Sequence, residues 1–193
     1  EGLVGAGGEL SPEWLLDAYS HGIFPWPTGA DDDPVLWWSP DPRAILELDC
    51  LPVSRRLRQT CRSGKFTATC DQQFAPVIRQ CASGPGRLGA TWITPRMVQA
   101  YTRLFELGHA HSIEVWHEGQ LAGGIYGVAI AGLFAAESKF HCVRDASKVA
   151  LVHLVEHLKA RDYRLLDIQQ LTSHTARLGA IEIPRTEYLE RLA

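Results

Sequence analysis

The sequence lacks most of the features that would tie it to a membrane, a metal or a disulfide framework. No stretch approaches the roughly 18 consecutive apolar residues that a membrane-spanning helix needs. No signal-peptide pattern is visible either, so no membrane association is expected. The five cysteines, Cys50, Cys61, Cys70, Cys81 and Cys142, form no C-x-x-C pair and are odd in number. A zinc site or disulfide network is therefore not expected, and a reducing, cytoplasmic setting fits. Cysteines in such apolar surroundings read as small core residues. The net charge is only -3, which excludes a protein that coats nucleic acid through bulk positive charge. A local basic patch stays open. There is no G-x-x-x-x-G-K-[ST] loop, no internal repeat and no low-complexity tract.

What is present is ordinary globular material. Of 193 residues, 46% are apolar and 21% charged, enough for one large domain or two small ones with a real core. Ser11-Pro12-Glu13 reads as an N-cap, a proline at the first helical position and a first-turn acid. Trp14, Leu15, Ala18 and Tyr19 give that helix its apolar stripe, and Gly22 ends it. Residues 53–62 predict a short basic helix. Residues 65–70, 112–116 and 164–168 predict strands, and residues 121–138 two more, entered through the two-residue turn Glu118-Gly119. Thr94-Pro95 opens a helix, and Asp145 is expected to cap the longest one, to about Ala160. A short helix over 172–178 and a final one to Leu192 follow. The pattern predicts an α+β protein: a small N-terminal unit over 1–63, then a domain over 64–193 with a central, mostly antiparallel sheet flanked by helices.

Several residues invite a chemical reading. Asp167 and Gln169 lie two apart on a predicted strand and share a face. Among Leu165, Leu166 and Ile168, that carboxylate could be a buried acid bonded to backbone or a functional group. Arg55, Arg56, Arg58 and Arg62 cluster on one predicted helix, either as a solvated face or as a phosphate-contacting patch. His109 and His111 lack a third ligand in pattern and read as structural, and no metal is expected. Gly123, Gly124 and Gly127 read as close strand packing, not as a phosphate loop.

Long, idiosyncratic stretches of the chain resemble the bacterial leucyl/phenylalanyl-tRNA–protein transferases. They include GGELSPEWLLDAYSHGIFPW, LWWSPDPRAIL, TWITPRMVQAY, ELGHAHSIEVW, AGGIYGVAIAGLFAAES, DASKVAL, LLDIQQLTSHTARLGA and IEIPR, covering about residues 3 to 190. The resemblance implies an acetyltransferase-like C-terminal domain behind the small N-terminal one. It also implies a cytoplasmic, monomeric enzyme that needs no cofactor. Such an enzyme moves Leu, Phe or sometimes Met from aminoacyl-tRNA to the α-amino group of proteins that begin with Arg or Lys, marking them for degradation. By the same resemblance Asp167 and Gln169 stand at the catalytic pair, and Trp26, Trp92 and Glu137 line the substrate cleft. Ile125, Leu133, Phe134, Leu154 and Leu158 are the implied donor side-chain pocket, and Arg55, Arg56, Arg58 and Arg62 the implied tRNA contact. Lys139 stands where the family commonly has an apolar residue.

The chemistry would be aminolysis of an ester that already stores the driving force, so no ATP site is required. Asp167 is expected to orient the incoming amine and stabilise the positive charge growing on its nitrogen, and Gln169 to hold the amine or carbonyl. Glu137 is expected to read the acceptor's basic first side chain. Two other functions remain compatible with these residues. One is a coenzyme A-dependent N-acetyltransferase, whose pyrophosphate loop has only the poor match Gln120–Ile125, in a hairpin strand. The other is a non-catalytic tRNA-binding module.

Overall fold

The computed structural model describes residues 2–27, 32–84 and 91–193. In chain order the elements are β1 (Leu3–Ala6), α1 (Pro12–Ser20), β2 (Phe24–Pro25), β3 (Leu36–Trp38), β4 (Arg43–Leu46), α2 (Arg55–Arg62), β5 (Thr67–Cys70), α3 (Phe74–Ser83), α4 (Pro95–Glu106), β6 (Ala110–His117), β7 (Gln120–Ile130), β8 (Leu133–His141), α5 (Ala146–Lys159), β9 (Leu165–Gln169), α6 (Ser173–Ala176), β10 (Ile181–Ile183) and α7 (Arg185–Leu192).

The local signals act largely as read. The Ser11 and Thr94 side chains accept from the amides of Trp14 and Met97 and start α1 and α4. Glu118 and Gly119 both take positive φ, as a tight hairpin turn between β6 and β7 requires. Asp145 is an exception. It precedes α5 in a left-handed conformation, and its side chain makes no capping bond.

The strands form two sheets. β1, β3 and β2 make a small three-stranded sheet, and the remaining seven follow the order β10-β4-β9-β8-β7-β6-β5. Every neighbouring pair in the large sheet is antiparallel except β8 and β9. Those two are parallel because α5 carries the chain across between them. This is the acetyltransferase-like α+β arrangement that the resemblance implied. Sheet membership places β4 and α2 with the large sheet and its α5 helix, although the sequence grouped both with the N-terminal unit ending at 63.

Each face of the large sheet carries its own core. On one face Tyr126, Val128 and Phe140 meet Val77, Ile78 and Cys81 of α3, Met97 and Tyr101 of α4, and Leu15 and Tyr19 of α1. On the other, Ile113, Val115 and Ile125 meet Leu151, Leu154 and Leu158 of α5. Burying each large aliphatic side chain is worth about 1.5–3 kcal/mol, so α5 is fixed by its stripe, not by its ends. Gly127 lets β7 and β8 approach at a bulge. A Cβ there would come within 2.2 Å of the Ala135 carbonyl oxygen. Among the described residues no helix is long and apolar enough to cross a membrane.

Candidate active site

The site lies where the parallel strands part. Main-chain pairing of β8 with β9 runs through Leu133↔Leu165 and Phe134↔Leu166 and ends at Ala135↔Asp167. Beyond that point a cavity of about 480 Å³ opens, walled by residues 136–141 on the β8 side and 168–170 on the β9 side. On its other side β9 bulges against β4, where Ala44 pairs with Gln169 and Ile45 with Asp167, leaving Ile168 as the extra residue. Gln169 takes a φ of 66°. The Gln170 amide donates back to the Ile168 carbonyl at 2.8 Å, so Gln169 heads a three-residue turn of the rare strained kind.

Asp167 holds that turn from behind. It is fully buried and does not line the cavity. Its Oδ1 accepts from Arg43 Nε at 2.9 Å and from the Gln169 amide at 2.8 Å. Its Oδ2 accepts from Arg43 Nη2 at 2.6 Å and from the Tyr188 hydroxyl at 3.0 Å. Arg43 is equally buried, donates through Nη1 to the Gly22 carbonyl, and lies between the Phe24 and Tyr188 rings. Burial alone would lower the Arg43 pKa. The facing Asp167 carboxylate overcomes this and holds the guanidinium charged.

Glu137 and Gln169 face the cavity together. Gln169 Nε2 donates to Glu137 Oε1 at 2.8 Å, and the Tyr19 hydroxyl donates to the same oxygen at 2.6 Å. The Tyr101 hydroxyl reaches Oε2 at 3.4 Å and lies 2.5 Å from that of Tyr19. Glu137 is only 8% exposed, not a solvated strand-end acid. Burial, reinforced by the nearby Asp167 charge and opposed by the bonds from Tyr19 and Gln169 and by the Arg43 charge, pushes its pKa up to about 8. Both tyrosines are held well above their ordinary value, by burial first and the Glu137 charge second.

Of the residues singled out in the sequence, Gln169, Glu137, Lys139, Trp26, Trp92 and Ile125 line this one cavity. The Trp26 and Trp92 rings stand 5.5 Å apart at 38° and form one wall. The other pocket candidates lie elsewhere. Phe134, Leu154 and Leu158 sit where β8 and β9 are still paired and line a separate cavity of about 310 Å³ with His111, His157 and Arg161. Leu133 packs on the opposite side with Ile45, Leu165, Ile183 and Tyr188. The apolar part of the main cavity is instead made by Leu46, Phe140, Leu151, Ile168 and Leu178 beside Ile125. Arg55, Arg56, Arg58 and Arg62 are exposed on α2, and none lines the cavity. His111 bonds Asp71 at 2.7 Å.

Arg43, Tyr19, Tyr101 and Tyr188 are the functional side chains that sequence reading missed. Tyr19 and Tyr101 sit in apolar helix stripes and look like core, and only their hydroxyls meeting over Glu137 reveal another use. Arg43 follows a proline-rich turn, and nothing in the string distinguishes it from a surface arginine.

A cavity that opens where the sheet splits, lined by a buried acid whose pKa is raised, is a candidate catalytic site. Sequence comparison gives the family. The profile described as "Leucyl/phenylalanyl-tRNA protein transferase" matches residues 45–193, and that of the same family's N-terminal domain matches residues 8–41. The leucyl/phenylalanyl-tRNA–protein transferase of Nitratidesulfovibrio vulgaris (strain DP4) is 53% identical over 191 residues, which is 98% of this chain and 80% of the relative. That of Syntrophotalea carbinolica is 51% identical over 192 residues, 99% of this chain and 83% of the relative. This chain belongs to the leucyl/phenylalanyl-tRNA–protein transferase family. Among solved structures, a functionally unknown conserved protein from Staphylococcus epidermidis covers 94% of this chain and 68% of its own, with a TM-score of 0.51 and 8% identity, a likeness of fold alone.

Proposed function

We propose that this chain transfers leucine, phenylalanine or methionine from aminoacyl-tRNA to the α-amino group of proteins that begin with Arg or Lys, marking them for degradation. It works in the cytoplasm, as a monomer and without a cofactor. The observation that carries the chemistry is the buried Glu137–Gln169 pair, set in the wall of the cavity where two strands separate. Leu46, Ile125, Leu151 and Leu178 are suited to an apolar donor side chain. The Trp26–Trp92 wall offers a stacking surface for the terminal adenine, worth roughly 1–3 kcal/mol. The exposed α2 arginines suit salt-dependent contact with the tRNA stem.

An α-amino group has a pKa of about 7.7–8.0, so roughly a tenth to a third of it is already neutral at neutral pH. Attack on the ester needs positioning first, which can supply on the order of 7–11 kcal/mol. The attacking nitrogen must then lose a proton, and the departing ribose oxygen must gain one. Glu137, titrating at about 8, can take the proton from nitrogen and return it to oxygen with little energetic penalty either way. Gln169, projecting from its strained turn, holds Glu137 and presents its amide to the amine or carbonyl. Asp167 is a positioning residue. Its carboxylate is consumed by Arg43, Tyr188 and the Gln169 amide, which leaves it no free face for the acceptor amine.

The reading is tested by incubating the chain with labelled leucyl-, phenylalanyl- and methionyl-tRNA and peptides beginning with Arg, Lys or Ala. Label should pass to the Arg and Lys peptides and not to the Ala peptide. No transfer to any peptide would end the proposal.

A further inference from the structure

Glu137 meets two donors at one oxygen. Gln169 Nε2 reaches its Oε1 at 2.8 Å and the Tyr19 hydroxyl reaches it at 2.6 Å, while Oε2 has the Tyr101 hydroxyl at 3.4 Å. The two donors on Oε1 come from distant parts of the chain, Gln169 from the end of β9 and Tyr19 from α1. Both lead back to a single side chain. Arg43 Nε donates at 2.9 Å to Asp167 Oδ1, the oxygen that also accepts the Gln169 amide at 2.8 Å. Arg43 Nη1 donates at 2.9 Å to the carbonyl of Gly22, whose own amide donates to the Tyr19 carbonyl at 3.1 Å. Gly22 is fitted to this close approach. Its φ is +71°, and a Cβ there would stand 2.9 Å from the Tyr188 ring.

Arg43 does not reach the substrates itself. It is 1% exposed and does not line the cavity. The Phe24 and Tyr188 rings hold its guanidinium from either side, 4.8 and 4.5 Å from its centre. Balancing the Asp167 charge uses only Nε and Nη2, and the bond from Nη1 to Gly22 is additional. The guanidinium is planar and its donors point in fixed directions. It therefore ties the position of the Asp167 carboxylate to that of the Gly22 carbonyl.

We infer that Arg43 is a positioning residue for the transfer: through Asp167 it sets Gln169, through Gly22 it sets Tyr19, and so it fixes both donors on Glu137 Oε1 and leaves Oε2 to exchange a proton with the substrates. The inference rests on the transferase reading and adds what holds the proton-moving acid in register with the cavity. An arginine that served only to balance Asp167 would have no influence on the Tyr19 bond.

The test is a double-mutant cycle on the full chain, with kcat and KM for each substrate measured in the native protein, Arg43→Lys, Tyr19→Phe and the double variant. Lysine keeps the charge, but a single ammonium cannot reproduce the planar fork. Arg43→Lys should therefore lower kcat at least about tenfold and leave both KM values within about twofold. Tyr19→Phe should lower kcat about tenfold in the native chain, the loss of one hydrogen bond to a charged group. In the Arg43→Lys background the same change should cost less than about threefold, because residues in one network do not act independently. Equal effects of Tyr19→Phe in the two backgrounds, or an Arg43→Lys loss confined to KM, would overturn the inference. Should Arg43→Lys not fold, the comparison is made by single-turnover transfer in Arg43→Met with Asp167→Ala, which removes the buried pair whole. There too the Tyr19→Phe effect should fall below about threefold, and a full tenfold loss would overturn the inference. Native transfer with independent effects removes this inference alone. A native chain that transfers to no peptide removes the transferase reading, and this inference falls with it.

Discussion

Gln169 and Glu137 carry on, through their side chains, the pairing that their strands abandon two residues earlier. The last main-chain partners are Ala135 and Asp167, and the 2.8 Å bond from Gln169 Nε2 to Glu137 Oε1 spans the gap that opens beyond them. Gln169 pays for its place with a φ of 66°, a conformation costing on the order of 1–3 kcal/mol for a non-glycine residue. Gln169→Gly should therefore be more stable than Gln169→Ala by about 1 kcal/mol, while both lose transfer activity at least a hundredfold. Thermal denaturation of the two variants checks the first half, and single-turnover transfer the second.

Arg43 and Asp167 form a buried, two-pronged ion pair, so removing one partner strands the other. Asp167→Ala should cost about 3–5 kcal/mol of stability. The double variant Arg43→Met with Asp167→Ala should recover most of that stability. It should not recover turnover, because the Gln169 amide still lacks its acceptor. Denaturant titration and kcat measured side by side separate the two effects. Recovery of turnover along with stability would show that Asp167 serves only the fold.

Glu137 also leaves a mark on stability. Its folded-state pKa, about 8, lies above its ordinary value of 4.5. Between these values the folded state keeps a proton that the unfolded state has lost, so stability falls as pH rises from about 4.5 to about 8 and levels off above that. Glu137→Gln should flatten this part of the profile. The measurement is Tm against pH for both proteins, at constant ionic strength.

Trp92 shares its wall of the cavity with Trp26, and the proposed function sets the donor's terminal adenine against that wall. Trp92→Ala should raise KM for aminoacyl-tRNA about 5- to 150-fold, the equivalent of roughly 1–3 kcal/mol of stacking. KM for the acceptor peptide should stay within about twofold. Steady-state kinetics with each substrate varied in turn would reveal an equal effect on both, which this account excludes.

Much of this architecture can be read from short-range signals. The Ser11 and Thr94 caps and the Glu118-Gly119 turn act within a few residues and appear in the structure where the string places them. The bulge at Ile168 cannot be read this way, because it depends on β4 arriving from far upstream, where Ala44 and Ile45 meet Gln169 and Asp167. It is also what turns the Asp167 side chain inward to Arg43 while Gln169 reaches the cavity. Period-two reasoning correctly put the two residues on one strand but could not foresee the bulge between them or the turn at Gln169. The pocket candidates divided for a similar reason. Leu151 lies beyond the point where β8 and β9 part, whereas Leu154 and Leu158, one and two turns along α5, lie beside strands that are still joined.

The central claim is that Glu137 moves the proton and Asp167 does not, and the pH dependence of kcat/KM for the acceptor tests it most directly. In the native enzyme both the acceptor amine and Glu137 must be deprotonated, so log kcat/KM should rise with a slope approaching two below about pH 7.5 and flatten above about pH 8. Glu137→Gln should reduce that slope to one, the titration of the amine alone, and lower the plateau by about 10²–10⁴-fold. A Glu137→Gln enzyme that kept both the native slope and a near-native plateau would contradict the account.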